Sequence, residues 1–401
     1  MTDSSVPLPR QRSAEASHTA GEALGALRDR MLLQVSPARV GQVQGHLDPV
    51  RSGLILCGKD ALRKAARLRR EEAYRGALLV DPAAYEVSAA TEDDPFPHVV
   101  SDALPFDDPL EVSLAEQRAV AVTAPVTPTG YIHAEDSDAL RAAVRRVVDL
   151  DDPSVLFAVP IDVAWLRDVE PVRQLIAFLQ LVKGPKAIML GGQMDPLARY
   201  SKAVGHLRLV IEQVPDAALL RTDLAAFGAL AAGAAFTAFG ISSKLRHIVA
   251  PGERAKTGSG GFSTSPHVLY PELMSFFLGA TLAKRFAASP APVCSCGACL
   301  NARALDSFTS LHTPLPAAAA AHNVSVLMGW LRALDALPQG SARERWWHER
   351  CKAAVDHHPL VNAAIAQPNA FKVPEQLKRW ALAVPAPEAS STTATGTQRT
   401  R

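Results

Sequence analysis

The stretch from Ser154 to Gly192, SVLFAVPIDVAWLRDVEPVRQLIAFLQLVKGPKAIMLGG, decides the fold. It opens on a short apolar run, SVLFAVPID, passes into EPVRQLIAFLQLVK with apolar residues at helical spacing, and closes on a second run, KAIMLGG. Short strands separated by helices of about ten or more residues are the mark of βαβ units and a parallel sheet.

The same alternation recurs on both sides. Upstream, SGLILCG is followed by the helical KDALRKAARLRREEAYR and then by GALLVD, with AVAVTAPV and DALRAAVRRVVDL nearer the quoted unit; downstream come LRLVIEQ, AALLRTD, LAAFGALAAGA and AFTAFGIS. Several runs end on a polar residue or glycine: Asp81, Asp162, Gly191 with Gly192, and Asp223. In an eight-stranded β/α barrel such strand ends carry the active site, whereas in a doubly wound sheet the ligand sits at a switch point. About seven or eight strand-like runs before residue 245, and no glycine-rich phosphate fingerprint after the first, favour a (β/α)8 TIM-type barrel. The expected organisation is a disordered tail over 1–22, the barrel over 23–290, a zinc-binding segment and helix over 291–336, short C-terminal helices over 337–383, and a disordered tail over 384–401. Both tails are polar and have too little to bury to offset their ordering entropy.

Composition sets outer bounds. A chain of 401 residues, 48% of them hydrophobic, can bury a large core. The N-terminus lacks the apolar centre of a secretory signal and no apolar run is long enough to span a bilayer, so the expected address is the cytoplasm, away from membranes. A net charge of +2 announces no polyanion partner globally, so any nucleic-acid surface has to be a local patch. The segment 250–266, APGERAKTGSGGFSTSP, reads as a surface loop that could also serve as a lid or contact a phosphate. In GSARERWWHERCKAAVDHHPLVNAA and the residues beyond it, Trp346, Trp347 and Trp380 read as packing anchors. The histidines there read as a solvated helix rather than a second metal site.

Three of the five cysteines, Cys294, Cys296 and Cys299, crowd into VCSCGACLN. In a reducing compartment such clustering points to metal or catalysis rather than disulfides. CxCxxC lets one tight loop offer three thiolates to a single ion, and a tetrahedral zinc needs one more donor. His322, early in the helix begun near Pro316, is the first choice, and His312, in a proline-flanked turn, the second. Four protein ligands close the site, which makes the zinc structural.

CxCxxC followed by His-Asn at the start of an apolar helix resembles the zinc motif of the tRNA-guanine transglycosylase family, whose members exchange a base in nucleic acid for a 7-deazaguanine. The interval from Cys299 to His322 is a few residues shorter than the family's. Other pieces follow in the family's order over roughly residues 50–335. ALLVDPAAYE resembles the strand ending in Asp-Ser-Gly-Gly-Phe-Gln, which implies a role near the base for Asp81. AIMLGGQ resembles the strand ending in Gly-Gly-Leu, which implies that Gly191, Gly192 and Gln193 contact the base. The stretch from VPDAALLRTD to ISSKLRH resembles the penultimate strand, helix and last strand. Two departures stand out: the last strand, FTAFGIS, carries no carboxylate where the family has its nucleophile, and AVTAPVTPTGYI lacks the acid that reads the guanine edge.

Base exchange needs a carboxylate at the anomeric carbon and a second group to move protons. Asp81 and Asp223 are the nominees, with Asp162 or Asp195 as fallbacks. Each nominee also has a plain structural reading: Asp81 before Pro82 as a turn residue, and Asp223 before LAAFGAL as a helix N-cap. Three functions are therefore expected as alternatives. The first is a divergent transglycosylase acting on tRNA or DNA with a 7-deazaguanine base. The second is a non-catalytic, zinc-stapled barrel serving as a binding or dimerising accessory subunit. The third is an unrelated barrel enzyme with a structural zinc.

Overall fold

The structure, a computed structural model, describes residues 20–97, 108–193, 195–253 and 264–383. The tails expected over 1–22 and 384–401 lie almost wholly outside the described residues, as does most of the glycine-rich segment 250–266.

Helix α1 (Ala20–Leu27) leads into β1 (Arg30–Val35), followed by the single turn α2 (Val40–Val43), β2 (Ser52–Cys57), α3 (Ala61–Arg70) and β3 (Ala77–Asp81). Next come α4 (Pro109–Ala119), α5 (Ser137–Leu150), β4 (Phe157–Asp162), α6 (Val169–Leu179), β5 (Lys186–Gly191), α7 (Ala203–Gln213), β6 (Ala217–Thr222), α8 (Ala225–Ala231) and β7 (Phe236–Gly240). These seven strands form one all-parallel sheet in the order β3-β2-β1-β7-β6-β5-β4. The first strand and the last therefore lie side by side, with Leu32 opposite Ala238. Such strands are buried on both faces, which is why they read as continuous apolar runs rather than alternating ones.

Two hydrophobic layers follow from the strand period of two. Leu32, Ile55, Leu79, Ala158, Met189, Leu220 and Ala238 belong to an inner cluster that Ala23 and Leu27 of α1 also join. Their strand neighbours, such as Leu33, Val159, Ile188 and Phe239, belong to the larger cluster shared with the helices. Many inner positions are alanine, which leaves little side-chain volume on that face of the sheet.

The sheet has seven registered strands, not the eight expected for a full barrel. Its two edges are nonetheless bridged by residues 123–132. On one side the Thr123 N–H donates to Leu78 O (2.8 Å) and the Leu78 N–H to Thr123 Oγ1 (2.9 Å). On the other, the Leu156 N–H donates to Pro125 O (2.8 Å), and the Ile132 N–H to Pro160 O (2.8 Å). Pro125 and Pro128 remove two ladder donors, which is why AVTAPVTPTGYI forms isolated bridges instead of a strand.

Beyond the sheet the chain adds a hairpin, β8 (His267–Tyr270) with β9 (Ser275–Leu278), then α9 (Gly279–Arg285) and a two-residue ribbon, β10 (Val293–Cys294) with β11 (Arg303–Ala304). Three helices finish it: α10 (Leu315–Asp335), α11 (Ser341–Ala364) and α12 (Glu375–Leu382). The expected short C-terminal helices are thus one helix of 24 residues and one of 8. Trp347 and Trp380 anchor them: both are buried, and their rings meet at 6.1 Å over α8. Gly228 makes this approach possible, because a Cβ there would lie 2.5 Å from the Trp380 ring and 2.7 Å from Trp347 Nε1. No described helix is long and apolar enough to cross a membrane.

Candidate metal centre and strand-end cluster

Cys294 ends β10, and the chain turns back at once. Backbone N–H groups of Cys299 and Leu300 donate to Cys296 O (3.0 and 2.9 Å), and that of Asn301 to Cys294 O (3.2 Å). Leu300 and Asn301 take left-handed φ values of 53° and 58°, which lets β11 return beside β10. The knuckle presents three sulfurs to one point, and α10 delivers His322 to it from across the loop. His322 Nδ1 lies 3.6 Å from Cys296 Sγ and 3.4 Å from Cys299 Sγ. The ligand atoms of Cys294, Cys296, Cys299 and His322 all fall within 4.8 Å of one another. A tetrahedron with metal–sulfur and metal–nitrogen bonds of about 2.3 and 2.0 Å has donor separations of about 3.5–3.8 Å, so the set fits one ion.

The surroundings orient the donors. The far ring nitrogen of His322, Nε2, lies 2.8 Å from Leu269 O; a proton there leaves Nδ1 free to bind metal. The neighbouring Asn323 clasps β8, accepting from the Leu269 N–H (2.8 Å) and donating to His267 O (2.9 Å). A hydrogen bond from the Cys294 thiol holds the Cys296 thiol well below the usual range, and the same contact pushes Cys294 up. All five cysteines are free. Among the described residues this is the one group of His, Cys, Asp and Glu placed to hold a metal; His312 and the histidines of α11 take no part.

The strand-end residues fall into three groups. The first surrounds Asp81 at the end of β3. Its Oδ2 accepts from Gln34 Nε2 (2.7 Å), the Tyr85 hydroxyl (2.6 Å) and Arg221 Nε (3.1 Å), and its Oδ1 from the Ala83 N–H (2.9 Å). The Asp81 and Arg221 side chains are 1% and 2% exposed. Arg221 also pairs with Glu86 (2.7 Å) and lies over the Tyr85 ring, its guanidinium carbon 5.4 Å from the centroid. Burial alone would lower the Arg221 pKa, but Tyr85, Asp81 and Glu86 outweigh it and raise it. Burial pushes the Tyr85 hydroxyl well up and the adjacent Cys57 thiol up to about 12, so neither is a nucleophile at neutral pH.

The second group holds Gly191, Gly192 and Gln193. Asp162 stands opposite Gly191 in the β4–β5 register and accepts from the Tyr131 hydroxyl (3.0 Å) and the Ala164 N–H (2.7 Å). Tyr131 packs so closely on Gly191 that any Cβ would strike its hydroxyl. Gly192 has φ +140° and donates its N–H to Ile248 O (3.1 Å), and Gln193 Nε2 reaches Glu253 (3.2 Å).

The third group is Asp223 and Asp195. Asp223 Oδ1 accepts from the Ala225 N–H in the first turn of α8 and from Gln376 Nε2 of α12, both at 2.9 Å. Burial, followed by the nearby Asp223, raises Asp195 to about 7, and its Oδ1 has no hydrogen-bond partner. Asp223 thus turns toward α12, while Arg221, two residues earlier, turns toward Asp81.

The chain matches no known family model and no curated protein. What the arrangement can do has to come from its own geometry. Gln34, Tyr85, Glu86, Arg221 and Tyr131 were absent from the sequence-based candidates. Arg221 had a visible signal, since it is the charged residue inside the apolar run AALLRTD. Gln34 had none, because RMLLQV did not stand out as a strand.

Proposed function

We propose that this protein is a zinc-stapled, closed (β/α)8-type barrel of transglycosylase likeness that has given up base exchange and serves as a binding subunit for a catalytic barrel. The observation that carries the reading is the sealing of Asp81. A carboxylate that opposes charge at an anomeric carbon needs a free lone pair facing substrate, whereas Asp81 is buried, ion-paired and fed by four donors. Arg221 and Tyr85, the two side chains that hold Asp81, are themselves buried, as is Tyr131 beside Asp162. Asp223 Oδ1 is occupied by the Ala225 N–H at the start of α8 and by Gln376 of α12. The last strand, β7, offers Phe239 and Gly240 and no acid.

Residues 123–132 favour the closed-barrel reading, because their backbone bonds to both sheet edges although they form no strand of their own. The three thiolates and one imidazole suit zinc, which would hold the knuckle to α10 and leave no open position for chemistry.

A second reading is favoured by one observation. Asp162 is only partly buried and lies beside Tyr131 and the bare backbone of Gly191 and Gly192, so a base-exchange reaction on this chain would use that carboxylate. Purified protein incubated with a labelled 7-deazaguanine base and either tRNA or duplex DNA decides between the two. No incorporation is expected, together with a mass increase of one chain in light scattering when a base-exchanging barrel from the same cell is added. Incorporation that disappears in Asp162→Asn would replace the binding-subunit reading with the catalytic one.

A further inference from the structure

Helix α12 is eight residues long, too short to hold its conformation alone, so it is helical because it is seated on the rest of the protein. Polar bonds set its first turns on the loops that follow β5 and β6. Gln376 Nε2 donates to Asp223 Oδ1 (2.9 Å), just after β6, while Arg379 donates to Leu197 O (3.0 Å) and to Tyr200 O, both after β5. Leu377 and Trp380 bury the apolar side of the helix. Beneath the first turn lies a cavity of about 10 Å³, with Leu190, Leu219, Thr222, Asp223 and Arg246 in its lining. Gln376 lines it too, so α12 supplies part of the wall that closes the cavity at these strand ends.

The seat holds an acid whose buried oxygen has no partner. Asp195 leads into the turn Pro196–Ala198 after β5, and its Oδ1 is buried without a hydrogen bond. Asp223 faces it from the start of α8. From α12, Arg379 and the Gln376 N–H favour its charged form, as does the Ala198 N–H, but burial and Asp223 outweigh them. Arg379 is shared with Glu375, 3.8 Å away on the same helix, and Arg246 and His247 act on Asp223. Asp195 is thereby raised to about 7, whereas in water a carboxylate of this type titrates near about 4. The seated form therefore binds the proton more tightly than the lifted form does. It is favoured fully below about pH 4 and loses that advantage as pH rises through about 7.

We propose that α12 is a pH-responsive strap: while Asp195 is protonated the helix stays seated and closes the cavity at the ends of β5 and β6, and ionisation of Asp195 against Asp223 lifts its first turns and opens that wall. A short element near one end of the chain, held by few contacts, is the kind that opens locally without unfolding the whole. The strap does not depend on the binding-subunit reading, because α12 is seated in the same way whether or not the strand ends do chemistry.

Hydrogen exchange of the full chain, read by mass spectrometry and corrected for the intrinsic pH dependence of exchange, tests the strap at a peptide over 375–383, with α5 (137–150) as the reference. With a seated value of about 7 and a free value of about 4, opening of 375–383 should rise on the order of 10²-fold from pH 5 to pH 8 and level off above, while α5 stays protected. Asp195→Asn, which is neutral at every pH, should keep 375–383 protected throughout. Asp223→Asn, which removes the facing charge, should rise less than wild type, and it decides the matter by itself if Asp195→Asn does not fold. Equal rises in wild type and the two variants, a parallel rise in α5, or no rise in wild type between pH 5 and pH 8 would each overturn the proposal.

Discussion

Replacing Asp81 by Asn is the sharpest probe of the sealed strand-end cluster. The amide keeps the shape but changes what the buried atoms can accept. With its oxygen turned toward Gln34, Tyr85 and Arg221, its NH2 group faces the Ala83 N–H. Turned the other way, the NH2 group faces Arg221 Nε, which cannot accept. Either orientation leaves buried donors opposed, and Arg221 keeps only Glu86, whose side chain is 52% exposed, as a charged partner. Breaking one partner of a buried, hydrogen-bonded ion pair costs about 3–5 kcal/mol. At about 2 °C per kcal/mol, suited to a large chain, the melting temperature should fall by about 6–10 °C. Urea denaturation should show the same loss as a lower midpoint at unchanged slope. Adding Arg221→Met to the variant should cost less than the two single changes summed, because the orphaned charge is then gone. A carboxylate retained for chemistry usually costs stability, so an Asp81→Asn protein as stable as wild type, or more so, would refute the structural role.

Two further outcomes follow from the same geometry. Asp195 is raised above its ordinary carboxylate range to about 7, so it binds its proton more tightly folded than unfolded. Its stabilising contribution is full below about pH 4 and is lost as pH rises through about 7; melting temperatures over pH 4–8 should fall more steeply for wild type than for Asp195→Asn, and identical profiles would contradict this. Gly228→Ala should destabilise by about 1–2 kcal/mol despite alanine's better helix propensity, because the methyl group strikes both indoles and displaces α11 and α12. Near-ultraviolet circular dichroism of the tryptophans should change with it, and a stabilised variant with unchanged spectra would show that the helices do not dock through this glycine.

Much of the fold was legible because it depends on patterns within single runs. SVLFAVPID, KAIMLGG, AALLRTD and AFTAFGIS are each mainly apolar with no regular polar alternation and form β4 to β7, since a strand covered on both faces has no solvent side to show. LRLVIEQ looked similar but is the last part of α7, where length and not composition separates the two states. RMLLQV does not stand out as a strand because Arg and Gln flank its short apolar run, yet it is the central strand β1, and Gln34 is buried with bonds to Asp81 and Arg221. AVTAPVTPTGYI has a strand's composition, but its prolines deny it a ladder. The metal ligands were legible because CxCxxC is local and needs one more donor. The strand-end network was not, because Asp81 and Arg221 are 140 residues apart and meet only when the sheet curves.

The most direct test of the account is the metal itself. X-ray absorption on freshly purified protein should find about one zinc per chain with three sulfur ligands at about 2.3 Å and one nitrogen at about 2.0 Å. Cys296→Ser should lose the ion and much of the protein's stability, because the binding energy of the ligands is also folding energy. Protein that folds with no metal, or a zinc whose shell contains no sulfur and survives Cys296→Ser, would contradict it.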